Sequence, residues 1–561
     1  MNFQAKNIEK VILPKSMSLE VFITVIICIT VCVCITFLFR FYGIFRFPIA
    51  TVIIILINSF FPFIMVIGLI PYDVSLTLFG ASPIYKRSLY LALVTFFWIS
   101  NIFSFLIAPI AVSTMGYSKT ISIKHRIKMA ILDHLVFYGV IVIVVILGLV
   151  LLLISGTFSF SSIPYLIVAL TNAYGLLLFC FLMGHGLVSF PLTVWKQASP
   201  KRRYNFYLQR MANEQKVLKR AVSNGRRVLE ICFKARDQTA GELHELYDTQ
   251  GRPRESRLTR LTFELPHNFE EDFRHKGIER MTKVDWPNAT LQNMEDFFVL
   301  MDHVSDSIDQ ANKFIVYSGQ QATDSLHDLC NQHEGFYSTK IKIITIRILA
   351  VLTGIMSLIV LWGELIRMIK PEWSVFHLLS HISLSPSVGM LFVTTPALAF
   401  QTFIGCWSLT WIHVGSFFRF IEGATNLRTF TFWTSFSAKL MPTIGYHYLT
   451  QIGADKSQYV VVMGVMDRIP FVGREVVKYA PVLLLVIVFF VLLNLWDKIL
   501  KFLGLKNWTF ENSEFNSEDL KKGEQMLKDI DPEVKEILES NNELCIEVFD
   551  KEENLEPLAI Q

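Results

Sequence analysis

The sequence predicts an all-α polytopic membrane protein with about nine transmembrane helices and a cytosolic, coiled-coil-like helical hairpin inserted between the fifth and the sixth. Three observations carry that prediction. The mean hydropathy is +0.44, and 52% of the 561 residues are hydrophobic while only 18% are charged, against roughly 25% charged in ordinary soluble domains. Apolar runs of about 20 residues, the length a helix needs to cross a bilayer core, recur nine times. Between the fifth and sixth runs lies a polar stretch, too charged for lipid, that is patterned at helical spacing.

The first run, Leu19 to Leu38, ends in Arg40 without a small-residue cleavage pattern, so it reads as a span rather than a signal peptide. The next four lie near Phe47 to Ile70, Ser88 to Val112, Met129 to Leu153 and Ile163 to Phe190; the last four near Ile344 to Trp362, Val388 to Trp411, Phe430 to Leu449 and Tyr479 to Trp496. The eighth is the weakest. Lys439, Pro442 and Gly445 interrupt it, which predicts either a continuous polar span or a broken, partly re-entrant one.

Charge orients the spans. The 52 basic and 48 acidic residues leave a formal +4, but Glu511 to Gln561 alone carries −11, so the remainder carries +15. That basic excess reads as Lys and Arg at cytosolic ends of spans, not as a nucleic-acid surface: with the N-terminus outside, 17 basic residues flank the inner side and 11 the outer. The expected organisation is a five-span region over 1–192, a cytosolic helical domain over 193–342, four spans over 343–500, and a largely disordered acidic tail over 501–561, with one short helix near Ser517 to Ser540.

In the polar middle, Met294, Phe297, Met301, Val304, Ile308, Ala311 and Ile315 alternate three and four spacing, the apolar seam of a coiled coil. Leu208, Met211, Leu218, Val222, Leu229 and Cys232 follow a similar register, and a Gly/Pro-containing linker around Thr239 to Asn288 would join the two as an antiparallel hairpin. The seam is either the hairpin's own core or a surface for a partner or a second copy of the chain.

A search for chemistry returns little. The eight cysteines have no C-x-x-C spacing, His377 and His381 lack the Glu of H-E-x-x-H, and no phosphate-binding glycine loop occurs. The expectation is a non-enzyme with no cofactor and no metal. Ionisable and polar groups inside spans are better leads, since each costs free energy in lipid unless it finds a partner. Asp133 and His134 sit one turn inside the fourth span and Arg347 near the start of the sixth, so Asp133 either reaches the basic inner flank, pairs with Arg347, or joins a polar relay. Asn172 and Gly175 interrupt the fifth span, ahead of Gly184 and Gly186, whose missing side chains suit close helix contact.

In Ile70-Pro71-Tyr72-Asp73, the proline is expected to end the second helix and Asp73 to accept from freed backbone donors. This run, together with Gly184-His185-Gly186-Leu187-Val188 and Pro191, resembles the limb region 1 (LMBR) membrane-protein family. Arg347 to Leu352, Val360-Leu361-Trp362-Gly363-Glu364, Val462 to Met466 and Tyr479-Ala480-Pro481 are similar to its domain-containing protein 2 branch. The resemblance implies nine spans, an outside N-terminus and a central cytosolic helical segment. It also implies a function among lipocalin reception, lysosomal cobalamin handling and regulation of receptor signalling, of which the last fits this branch.

Two functional readings follow. One is a receptor or receptor regulator, at the plasma membrane in preference to the endolysosomal membrane, whose cytosolic domain and tail recruit signalling or trafficking proteins. Its other partners would be membrane lipids and, compatibly, a second copy of itself. The other is a transporter or channel for a small solute or lipid, with Asp133, Asn172 and Lys439 lining a polar path.

Overall fold

The computed structural model describes residues 14–78, 83–117, 122–154, 162–239, 291–333, 337–382, 385–411, 420, 425–463, 473–493, 495 and 515–530. Among these residues the secondary structure is helical, with no strand. The chain divides into two units, Met1–Val194 with Leu349–Glu511, and Trp195–Ile348 with Asn512–Gln561.

Each of the nine apolar segments falls on a helix. The first five are α1 (Pro14–Phe41), α2 (Ile49–Leu78), α3 (Tyr85–Gly116), α4 (Ile123–Ile154) and α5 (Ser162–Gln197), followed by the hairpin helices α6 (Pro200–Thr239) and α7 (Leu291–His333). After them come α8 (Tyr337–Arg367), the short α9 (Val375–Ile382), α10 (Pro386–Thr410), α11 (Leu427–Gln451), α12 (Gln458–Met463) and α13 (Gly473–Leu492). Six of these helices are long and apolar enough to cross a membrane, and α4 makes a seventh when its two arms, bent by 42°, count as one span. The apolar stretch of α13 is shorter, and α11 is more polar. The chain is an integral membrane protein by these spans; among the described residues six or seven helices have the length and hydropathy of a span, against the nine expected.

Proline shapes three spans without ending them. In α2, α3 and α10 a widened π turn, at Ile64–Leu69, Ile102–Ile107 and Met390–Thr394, finishes two residues before Pro71, Pro109 and Pro396. A proline ring collides with the carbonyl four residues back and has no N–H to give it, and widening the turn relieves the collision. The liberated carbonyls of α3 are taken by other helices: Ser435 Oγ donates to Ser104 O at 2.8 Å and Tyr138 Oη to Phe105 O at 3.2 Å. The expectation that Pro71 terminates α2 therefore fails, because the helix runs on to Leu78.

Helix α11 is the centre of the first unit. It packs against α2, α3, α10 and α12, and most of its side chains are buried, among them Thr431, Thr434, Ser437 and His447. Its low hydropathy, which suggested a break, reflects surroundings of protein rather than lipid. The helix is continuous through Pro442, and two of its buried hydroxyls return to their own backbone, Thr431 Oγ1 to Leu427 O and Thr434 Oγ1 to Phe430 O, each at 3.0 Å.

The second unit is built on α6 (Pro200–Thr239) and α7 (Leu291–His333), packed along each other. Arg203 pairs with Asp328 at 2.6 Å while Arg210 lies over the ring of Phe314 at 4.4 Å, so the helices run antiparallel. Of the expected seam, Phe297, Met301, Val304, Ala311 and Ile315 are buried. Ile308 is only half-buried, and the side chain of Met294 lies outside the described residues. Leu300, Ser307, Gln310 and Phe314 are buried as well, which makes the stripe wider than a strict heptad seam. The linker over 240–290 lies outside the described residues.

In the tail a short helix lies where the sequence predicted one, ending at Ile530 within the described residues. Residues 515–530 carry α14 (Ser517–Ile530), which packs on α6. The rest of the acidic tail, 531–561, lies outside the described residues.

Candidate functional site

The most concentrated polar chemistry of the first unit lies where α8 meets α11. Glu364, fully buried, sits one turn from the end of α8. His447 Nδ1 is 3.0 Å from its Oε1 and 3.1 Å from its Oε2, and Gln451 Nε2 donates to Oε1 at 2.7 Å. Arg367, one turn further along α8, approaches Oε2 at 3.3 Å and donates to Thr450 Oγ1 at 2.8 Å. The i, i+3 spacing of Glu364 and Arg367 puts both on one face of α8, and the i, i+4 spacing of His447 and Gln451 does the same on α11. Phe179 of α5 stacks on the imidazole with ring centroids 4.2 Å apart. A buried carboxylate held by an arginine, an imidazole and an amide is a polar clasp between two helices, in surroundings where an unmatched charge would be expelled.

Asp73 forms a second clasp, and this too involves a distant stretch of sequence. Its carboxylate, 1% exposed, accepts the backbone N–H of Gln458 at 3.0 Å and of Tyr459 at 2.7 Å, at the start of α12. These are donors a helix leaves unmatched at its first turn. Asp73 thus accepts freed backbone donors as its sequence suggested, but those of α12 rather than of its own helix. Tyr459 Oη completes the join by donating to Pro442 O of α11 at 2.9 Å, and its ring lies against Gly445 with no room for a Cβ between them.

Lys439 and the interruptions of α5 come together. The Lys439 ammonium lies over the rings of Phe105, Phe436 and Tyr174 at 4.7, 4.9 and 5.7 Å, a cation–π arrangement in a buried place. Gly175, next to Tyr174, abuts the Lys439 carbonyl and Thr443, so α5 and α11 cross where a side chain would block them. Asn172 Nδ2 donates to Met463 O at 2.9 Å. Gly184 abuts Ile487 and Leu484 O of α13, and Gly186 abuts Ser408 and Ile404 O of α10, so these two glycines serve close packing on different neighbours.

The remaining candidates lie elsewhere. Asp133 is exposed on α4 and accepts from Tyr117 Oη; His134 Nδ1 is 3.0 Å from Ala130 O. Arg347 belongs to the second unit, where its guanidinium lies over Trp195 at 5.6 Å. Each of Asp133 and Arg347 thus has a partner within its own unit. His377 Nδ1 is 2.7 Å from Ile452 O, and among the described residues no cluster of metal-ligating side chains occurs. Sequence reasoning singled out Glu364, Asp73 and Lys439 but missed Arg367, His447, Gln451 and Tyr459. The signal for Arg367, His447 and Gln451 lay in pairs at helical spacing, Glu364 with Arg367 and His447 with Gln451, near the ends of their helices.

Comparison with known proteins adds the following. The family described as LMBR1-like membrane protein matches residues 19–496. LMBR1 domain-containing protein 2 homolog A of Dictyostelium discoideum is 20% identical over 467 residues, 77% of this chain and 61% of that protein. The G-protein coupled receptor-associated protein LMBRD2 of Homo sapiens is 21% identical over 80% of this chain and 68% of its own length, and that of Gallus gallus 19% identical over 80% and 69%. The chain thus spans about three-fifths of the Dictyostelium relative and little more than two thirds of the vertebrate ones. No solved structure matches.

Proposed function

The chain belongs to the LMBR1-like membrane protein family, and on that premise we propose that it is a non-enzymatic, receptor-associated membrane protein that regulates signalling by G-protein coupled receptors. The observation that carries this reading is the naming of the vertebrate relatives as G-protein coupled receptor-associated over a match that covers 80% of this chain. In this reading the N-terminus faces outward, and the hairpin α6–α7 with α14 lies in the cytosol and recruits signalling or trafficking proteins at the plasma membrane. The first unit is its membrane platform, and the clasps at Glu364 and Asp73 hold that platform in one arrangement. Support comes from the size of the second unit and from its basic α6, which carries eleven Lys and Arg against three Asp and Glu.

The test is copurification of the tagged full chain with a panel of G-protein coupled receptors, beside an unrelated polytopic protein at equal expression. Enrichment of at least one receptor, with altered agonist response on depletion of this chain, is the expected result. Recovery no better than the unrelated protein overturns the reading. A second reading, a transporter, draws on Lys439, a buried cation whose described neighbours are aromatic rings. Solute uptake into liposomes that is lost in Lys439→Met would establish it.

A further inference from the structure

Helix α14 presents Asp519, Gly523 and Leu527 at i, i+4 and i+8, one stripe of the helix, and these are its buried residues. Each meets a different feature of the hairpin. Asp519, 6% exposed, pairs with Lys216 Nζ at 2.7 Å. Gly523 lies against the carbonyl of Leu208 so closely that no Cβ fits. Leu527 is buried among Tyr204, Leu208, Met211, Ile315, Ala322 and Leu326, contributed by both α6 and α7.

Three physical arguments mark this groove as a receptor for helices. A 14-residue helix with a glycine near its middle is marginal in water, so the groove supplies the order that α14 lacks by itself. The contact is polarised, because the acidic first turn of α14, Glu518 and Asp519, meets the basic α6. Finally, the requirement at Gly523 is steric and backbone-directed, which is a specificity device rather than a general apolar attraction.

We propose that the α6–α7 groove is a docking site for an amphipathic helix with an acidic first turn and an acid, a glycine and a leucine at i, i+4 and i+8, and that α14 is its resident occupant. A partner's helix of this pattern binds by displacing α14, and tethering in the same chain sets the threshold such a partner must exceed. The proposal deepens the reading of the hairpin as a recruiting surface and rests on it.

The test uses the full-length protein in detergent and, as probe, a fluorescein-labelled peptide of residues 515–530. Gly523→Val and Leu527→Asp, placed in the chain, are expected to release α14 and raise the affinity for the peptide at least tenfold over the unaltered protein. Equal affinity for altered and unaltered proteins overturns the competition, and no binding to either overturns the site. A charge swap guards against a folding artefact: in the released protein, Lys216→Glu should weaken the peptide, and an Asp519→Lys peptide should restore binding. Failure of that rescue also counts against the site. Absence of receptor copurification with intact peptide competition would overturn the receptor reading and leave the groove standing.

Discussion

The carboxylate of Asp73 accepts the backbone N–H of Tyr459 at 2.7 Å, across 386 residues of sequence. Asp73→Ala would leave that donor and the N–H of Gln458 buried without an acceptor, at a cost of about 1–3 kcal/mol for each group left unmatched. The expected outcome is a lower melting temperature of the purified protein in detergent, with Asp73→Asn falling between the two because it keeps one acceptor oxygen. A melting temperature of Asp73→Ala equal to that of the unaltered protein would remove Asp73 from the join.

Glu364 and Arg367 are expected to behave as a coupled pair. Glu364→Leu alone strands a buried guanidinium and should cost about 3–5 kcal/mol, whereas Glu364→Leu with Arg367→Met should recover much of the loss. Expression at the membrane and thermal unfolding of the single and double variants measure the coupling. Additive losses would mean that the two residues act independently.

Asp328 of α7 accepts from Arg203 of α6 at 2.6 Å and from Lys342 of α8 at 2.5 Å. Partial burial raises its carboxyl pKa, but the hydrogen bonds and charges of Lys342 and Arg203 outweigh this and leave it below the ordinary carboxylate value. A depressed pKa in the folded state means that the ionised form stabilises the fold. Its contribution is present in full above the unfolded value of roughly 3.9 and is lost as pH falls through the lower, folded one. Asp328→Asn should abolish this share of the acid sensitivity. Hydrogen exchange of 200–239 and 291–333 between pH 6 and pH 3 reads it, and identical pH profiles would refute the assignment.

Along the hairpin seam, Val304 is 2% exposed while Ile308 is half-buried. Val304→Asp places a charge where it finds neither water nor a partner and should destabilise the hairpin by about 3 kcal/mol or more; Ile308→Asp reaches water and should cost less. Thermal unfolding of the two variants ranks them, and the reverse order would mean that the seam is rotated from the one described.

Gly175→Val is expected to disrupt the crossing of α5 and α11, because its Cβ would meet Thr443 Oγ1 and the Lys439 carbonyl of α11. Loss of monodisperse protein in detergent is the expected reading. A well-folded Gly175→Val protein would show that the crossing is looser than this.

The sequence by itself determined the membrane class, the positions of the long helices and much of the α7 seam, because hydropathy and period are properties of neighbouring residues; on α6 the expected register drifts, with Ala221, Val228 and Ile231 buried where Leu218, Val222 and Leu229 were expected. A run of 20 apolar residues specifies a span wherever it packs. Tertiary structure decided which polar groups meet. Glu364 and His447 lie 83 residues apart, and nothing local marks either as the other's partner. The same limit explains the misreading at Pro71 and the two readings left open for α11. A proline lowers local helical preference, yet Pro71 stays within α2 because a widened turn takes up the strain. A polar helix reads as a weak span, yet α11 is the centre of its unit because its neighbours are helices rather than lipid. The docking of α14 lay beyond the sequence for a related reason. Its stripe of Asp519, Gly523 and Leu527 is legible only against Lys216, the Leu208 backbone and the apolar cluster, and the folded hairpin creates that combination.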